Sequence, residues 1–102
     1  MAKVRRKLTR ALKINASAKF TALRSDIKKY LLLARNFREA GENIDDEHVL
    51  LEEQRRFTSR TKSLHPDATH VAKAILARYD ETCDLDSVTQ DDAVSFILEL
   101  DA

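Results

Sequence analysis

Residues 20–44 read FTALRSDIKKYLLLARNFREAGENI, and the reading of this stretch decides the fold class. Phe20, Leu23, Ile27, Leu31, Ala34 and Phe37 follow one another at steps of three or four, which places them on one face of a helix. Tyr30 and Leu33 widen that stripe, while Lys28, Lys29, Arg35 and Arg38 stand to its sides and behind. Gly41, the only glycine in the chain, falls where a helix calls for a left-handed residue after its last turn, with Arg38 placed to suit the helix dipole. The spacing therefore predicts one amphipathic helix that stops at Gly41. Its cation-flanked apolar face is suited to burial against neighbours and to contact with an acidic partner.

The rest of the composition agrees with a helical chain. At 102 residues it is long enough for one domain with a modest core. Hydrophobic residues make up 43% and charged residues 34%, which points to a globular chain with a heavily charged surface. With one Gly and one Pro there is little material for hairpins, and no stretch alternates with period two for long. An all-α bundle is the expectation. Apolar runs such as Leu31–Ala34 are far too short for a transmembrane helix. Cys83 is the single cysteine, so an internal disulfide is excluded and a reducing compartment or an inert buried thiol is expected.

A net charge of +1 conceals a strong asymmetry. Residues 1–38 hold 12 Lys and Arg against one acid, Asp26, hence +11. Residues 39–102 hold 6 basic and 16 acidic residues, hence −10. Either helices of opposite charge neutralise each other within the bundle, or the basic half faces something anionic: nucleic acid, membrane or an acidic protein. The acidic half disfavours spreading over a long polyanion, so a local acidic partner is the better fit.

Upstream of the opening stretch, residues 1–20 contain no acid and are rich in Arg, Lys, Ala and Ser. Val4, Leu8, Leu12 and Ala16 lie on one helical face, with Arg5, Arg6, Arg10 and Lys13 around the rest. This is the composition of a mitochondrial transit peptide and equally of a basic first helix. It is taken as helix one of the folded chain, with targeting information built in.

Downstream, Asn43, Asp45 or Asp46 can cap a third helix, with Glu47 in its first turn. Val49, Leu50, Phe57 and Leu64 give that helix a thin apolar stripe, and Pro66 is expected to end it. A fourth helix at about 67–82 turns Val71, Ala74, Ile75, Ala77 and Arg78 toward the bundle. A fifth, at about 89–100, is signalled by Thr89 with Asp92 three residues on, a capping-box spacing, and buries Val94, Ile97, Leu98 and Leu100. The expected architecture is thus a three-helix bundle over about residues 3–63 with one or two further C-terminal helices. Residues 1–64 form the core and 65–102 an extension within a single domain.

Catalytic signals are absent. His48, His65, His70 and Cys83 do not have the spacing of a zinc site, so no metal site is expected. One glycine cannot build a phosphate-binding loop, and no Ser stands in a nucleophile elbow. The carboxylates at 45–47 and 91–92 sit at helix starts, where capping accounts for them. A non-enzymatic role without a cofactor of its own is expected.

Two resemblances bear on function. His65-Pro66-Asp67 lies between two helices after a basic run, with Phe57 eight residues before the His, and this resembles the J-domains that stimulate heat-shock chaperones. Arg60 and the acidic EHVLLEE helix start depart from that pattern. The simpler account is that Pro66 stops one helix and Asp67 caps the next.

The second covers roughly residues 8–64. Leu8-Thr9-Arg10 is followed by Phe20, Tyr30, the run Arg35-Asn36-Phe37-Arg38-Glu39, and Asn43-Ile44-Asp45-Asp46 before a charged helix. In order and spacing this resembles the LYR family of small mitochondrial three-helix proteins, departing at Thr9, where that family has Tyr, and in the helices after Pro66. The resemblance implies binding of the mitochondrial acyl carrier protein. The partner's acidic helix and phosphate would meet Arg10, Lys13, Lys28, Lys29, Arg35 and Arg38. Its acyl-4'-phosphopantetheine would enter a channel lined by Leu12, Leu23, Ile27, Leu31, Ala34, Phe37, Val49 and Phe57. It also implies an accessory subunit or assembly factor of a larger mitochondrial assembly, a respiratory complex or the mitoribosome, in the matrix or on the matrix side of the inner membrane. The alternatives left open are a basic helical nucleic-acid module with an rRNA contact and a J-domain-like cochaperone.

Overall fold

No glycine or proline occurs before Gly41, and in the computed structural model of the chain one helix, α1, runs unbroken over Ala2–Glu42, 41 residues. The structure describes residues 2–79 and 85–100, and side chains from residue 10 onward within those ranges. The division expected near residue 20 is therefore not made, so that the two helices read there are a single one. The physical reason is local: Asn15 and Ser17 are only mildly unfavourable in a helix and are flanked by Ala16 and Ala18, so nothing opposes continuation. At a rise of about 1.5 Å per residue, α1 sets the molecule's length, 62 Å against 23 and 20 Å across. The radius of gyration, 16.7 Å, exceeds the roughly 13 Å of a compact chain of this size for the same reason.

The stop at the end of α1 works differently from the sequence expectation. Gly41 has no positive φ and lies inside the helix. The helix instead closes through tight turns, Asn43 N–H to Ala40 O (3.2 Å) and Ile44 N–H to Gly41 O (3.3 Å). The Asn43 side-chain amide adds a bond to Glu39 O, 3.2 Å. Asp46 then caps α2 (Glu47–Thr61) by accepting the His48 N–H at 2.8 Å. Helix α3 (Pro66–Arg78) follows, then a 3-10 turn over Leu85–Ser87 and α4 (Gln90–Leu100). Among the described residues the fold is all-helical, a bundle with two C-terminal helices, and no helix is long and apolar enough to cross a membrane. Helix α3 stops at Arg78 with Tyr79 already extended, short of the expected end near 82; residues 80–82 and Cys83 lie outside the described ranges.

Pro66 starts α3 rather than ending α2, whose last residue is Thr61. Its missing N–H falls where the first turn of a helix has no use for one. His65 is the cap: its Nδ1 accepts the Asp67 N–H at 3.1 Å, while its own N–H donates to Asp26 Oδ2 at 2.9 Å. Asp67, expected as the cap, pairs with Lys19 at 3.3 Å instead. The single acid of the basic half and the His-Pro-Asp tripeptide thus together fasten the start of α3 to α1.

The core is built by the C-terminal helices on the middle of α1. Ala16, Phe20, Leu23, Ile27 and Tyr30 pack with Ala68, Val71, Ala72 and Ile75 of α3, with Ala93, Val94, Phe96 and Ile97 of α4, and with Leu85. Residues 65–102 were expected as an extension to a core formed before them; they supply its other side. Ala77, Arg78 and Leu98, expected inside, are exposed, and Ala68, Ala72, Ala93 and Phe96 take the buried positions. Asp92 N–H donates to Thr89 Oγ1 at 3.2 Å, as the capping-box spacing predicts, but the Asp92 carboxylate turns to Arg78 (3.2 Å) and the Tyr79 hydroxyl. Arg24–Asp86 ties the 3-10 turn to α1, and Gln90 Nε2 to Ser17 Oγ (3.2 Å) ties the start of α4 to it. Helix α2 has no buried residue and rests mainly on α1.

A candidate docking groove between α1 and α2

Where α2 lies along α1, three rings meet. Phe57 stacks on Phe37 with centroids 5.2 Å apart at 27° and meets Tyr30 in an edge-type contact at 5.6 Å and 66°. Burial pushes the Tyr30 phenol above its usual pKa, so it stays neutral here. Beside the Phe37–Phe57 pair an open groove of about 210 Å³ is lined by Leu33, Asn36, Phe37 and Ala40 from α1 and by Glu53, Arg56, Phe57 and Arg60 from α2. Lys29 continues the α1 wall, since 29, 33, 36 and 40 follow at helical steps. Glu53 pairs with Arg56 at 3.3 Å on the surface, an arrangement too solvated to hold the guanidinium firmly. Sites for whole small-molecule ligands run roughly 300–1,000 Å³, so this groove suits one apolar group presented by a larger partner.

The eight residues expected to line an acyl channel do not share one space. Ile27, 0% exposed, and Leu23 are packed under α3 and α4 with no room left. Leu12 (54% exposed) and Val49 (44%) lie in solvent toward opposite ends of α1. Leu31 and Ala34 are partly buried against the core, and of the eight only Phe37 and Phe57 line the groove. A three-helix channel needs a chain reversal near residue 20, and the continuous helix removes it.

The six expected cations are likewise divided. Arg10 and Lys13 are exposed on the N-terminal part of α1, about 25 Å along the axis from Lys28. Lys28, Arg35 and Arg38 share a flank with Arg24, the last of them paired with Glu42 at 3.4 Å. Lys29, about 100° further round, is on the groove side. Phe20, expected as part of the LYR-like pattern, is a buried core residue; the side chains of Leu8 and Thr9 lie outside the described ones.

Leu33, Asn36, Ala40, Arg56 and Arg60 went unread as site residues. Their signal was the step of four between Arg56 and Arg60 beside Phe57, which singles out a wall only once α2 is known to lie on α1. Among the described residues no three His, Cys, Asp or Glu are grouped as a metal site requires. Compared with known proteins, the chain matches no family model, no curated protein and no solved structure.

Proposed function

We propose that the chain is a non-enzymatic helical adaptor that captures an acidic protein partner, one apolar group of which enters the groove beside Phe37 and Phe57. What supports the reading is one juxtaposition: a stacked phenyl pair in an open groove whose wall carries Arg56 and Arg60, with Lys29 one helical step beyond it on α1. The rings supply apolar surface at about 25 cal/mol per Å² buried, and the cations steer and orient an anionic partner. By the LYR resemblance the first partner to test is the mitochondrial acyl carrier protein. Its acyl chain would supply the apolar group, at roughly 0.8 kcal/mol per buried methylene, and its phosphate the anion. The adaptor would then deliver that partner to, or hold it in, a larger mitochondrial assembly.

The test is co-purification followed by intact mass analysis of whatever travels with the chain. An acidic protein carrying an acylated phosphopantetheine is the expected companion, and its absence when the two are co-expressed sinks the reading. Arg56→Glu with Arg60→Glu should weaken capture about tenfold or more with helicity unchanged. Arg35→Glu, on the far flank, should leave capture within about twofold; the opposite ranking would move the site to that flank.

A further inference from the structure

The N-terminal part of α1 projects past the bundle. Every residue from Arg10 to Asn15 is exposed, and Ala16, which follows, is buried. Helix α4 reaches only the shoulder of this stretch, where Lys13 and Ile14 border a shallow recess with Gln90 and Asp91. Residues 2–15 form about four turns of helix, roughly 20 Å, and those of them whose side chains are described, 10–15, are all exposed. A helix of that length without a partner is marginal in water.

The far end of the molecule has the complementary character. Residues 1–13 carry six Lys and Arg and no acid, whereas residues 39–53 carry seven Asp and Glu and no Lys or Arg. Because α1 is unbroken, these two segments lie at opposite ends of a 62 Å molecule. Each end also leaves apolar side chains uncovered: Leu12 and Ile14 at the basic one, Val49, Leu50 and Leu51 at the acidic one. Single exposed apolar residues are ordinary, but Val49 stands on the same face as Asp45 and Glu52, on a helix that buries no residue, while Leu50 turns toward Gly41 of α1.

We infer that a second copy of this chain covers the projecting helix, the two copies lying antiparallel so that the basic end of each rests on the α1–α2 turn of the other. An antiparallel pair satisfies both ends at once through one two-fold axis, which is the commonest closed symmetry. Arg10 and Lys13 of one copy face Asp45 and Glu52 of its partner, while Ile14, on the same face as the two cations, covers Val49. A polyanion would be drawn to the basic end and repelled from the acidic one; a second copy complements both. This contact goes beyond the groove reading and uses none of the groove cations.

The test is sedimentation of the purified full chain, without any partner, across salt concentration. A dimer is expected at low salt, its dissociation constant rising about tenfold or more between about 0.05 and 0.5 M as the charges are screened. Arg10→Glu with Lys13→Glu should be monomeric, and so should Asp45→Lys with Glu52→Lys, each with the circular dichroism of the folded chain. Mixed in equal amounts, the two variants should form a heterodimer, because each then carries the complement of the other's altered end. A wild-type chain that stays monomeric at low salt overturns the inference. So does a dimer indifferent to salt and to both reversals, a mixture that stays monomeric, or an open series of larger species in place of a closed pair. None of these outcomes touches Arg56, Arg60 or Phe37, so the groove reading stands or falls separately.

Discussion

Gly41 shows how a residue's type can be read correctly while its role is not. It was expected to leave the helical region of backbone space; it remains helical, and Asn43 closes the helix through its side-chain amide. A Cβ at position 41 would meet only Leu50 Cδ1, at 3.6 Å, an ordinary contact. Gly41→Ala should therefore stabilise the chain by about 0.5–1 kcal/mol, raising the thermal midpoint by a few degrees. A lower midpoint would mean that the glycine is needed for its backbone freedom after all. His65, Pro66 and Asp67 make the opposite case. Each of the three has a local structural task, respectively cap, first helical residue and ion pair to Lys19, so the tripeptide's presence is accounted for without a chaperone.

At the scale of elements, the four helices are unequal. Helices α3 and α4 each bury four residues against α1, whereas α2 buries none and is held mainly through Phe57, its apolar neighbours and its connection to α1. Local opening free energy follows buried apolar contact, so α2 should be the least protected of the described helices after the projecting part of α1. In native-state hydrogen exchange, amides of residues 51–60 should exchange at least about tenfold faster than those of 70–77; equal protection would show that α2 unfolds only with the core. This looseness suits the proposed groove, one wall of which is α2. Binding an apolar group there would add contacts where the free chain has fewest, so α2 protection should rise on capture.

For the molecule as a whole, α1 is both spine and overhang. Its middle third is covered by α3 and α4 and its last third by α2, while residues 10–15 are exposed and border α4 only at Lys13 and Ile14. Removing residues 1–14 should accordingly leave the bundle folded. At high salt, where self-association is screened, the thermal midpoint should shift by less than about 4 °C while the helical signal falls in proportion to the turns lost. A collapse of the midpoint would place part of the core in that segment. The same length makes the charge asymmetry a long-range property: a basic first third and an acidic turn, held apart by a rigid helix, give the particle a dipole along its axis.

Much of this was legible in the sequence, and for physical reasons. Helical periodicity, the scarcity of Gly and Pro and the cap at Asp46 depend on neighbours three or four residues apart, and these set the helical class and the start of α2. The stripe of residues 20–37 was likewise evident as a buried face. What covers that face was not, because period and hydrophobicity are the same whichever helix packs there. Only tertiary packing assigned Phe20 to Ile27 to α3 and α4 and Phe37 to α2, with Tyr30 between them, and so removed a channel and opened a groove. The missing break near residue 20 has the same origin: local chemistry can forbid a helix from continuing, but nothing local forbade it here, and the fold made use of the uninterrupted length.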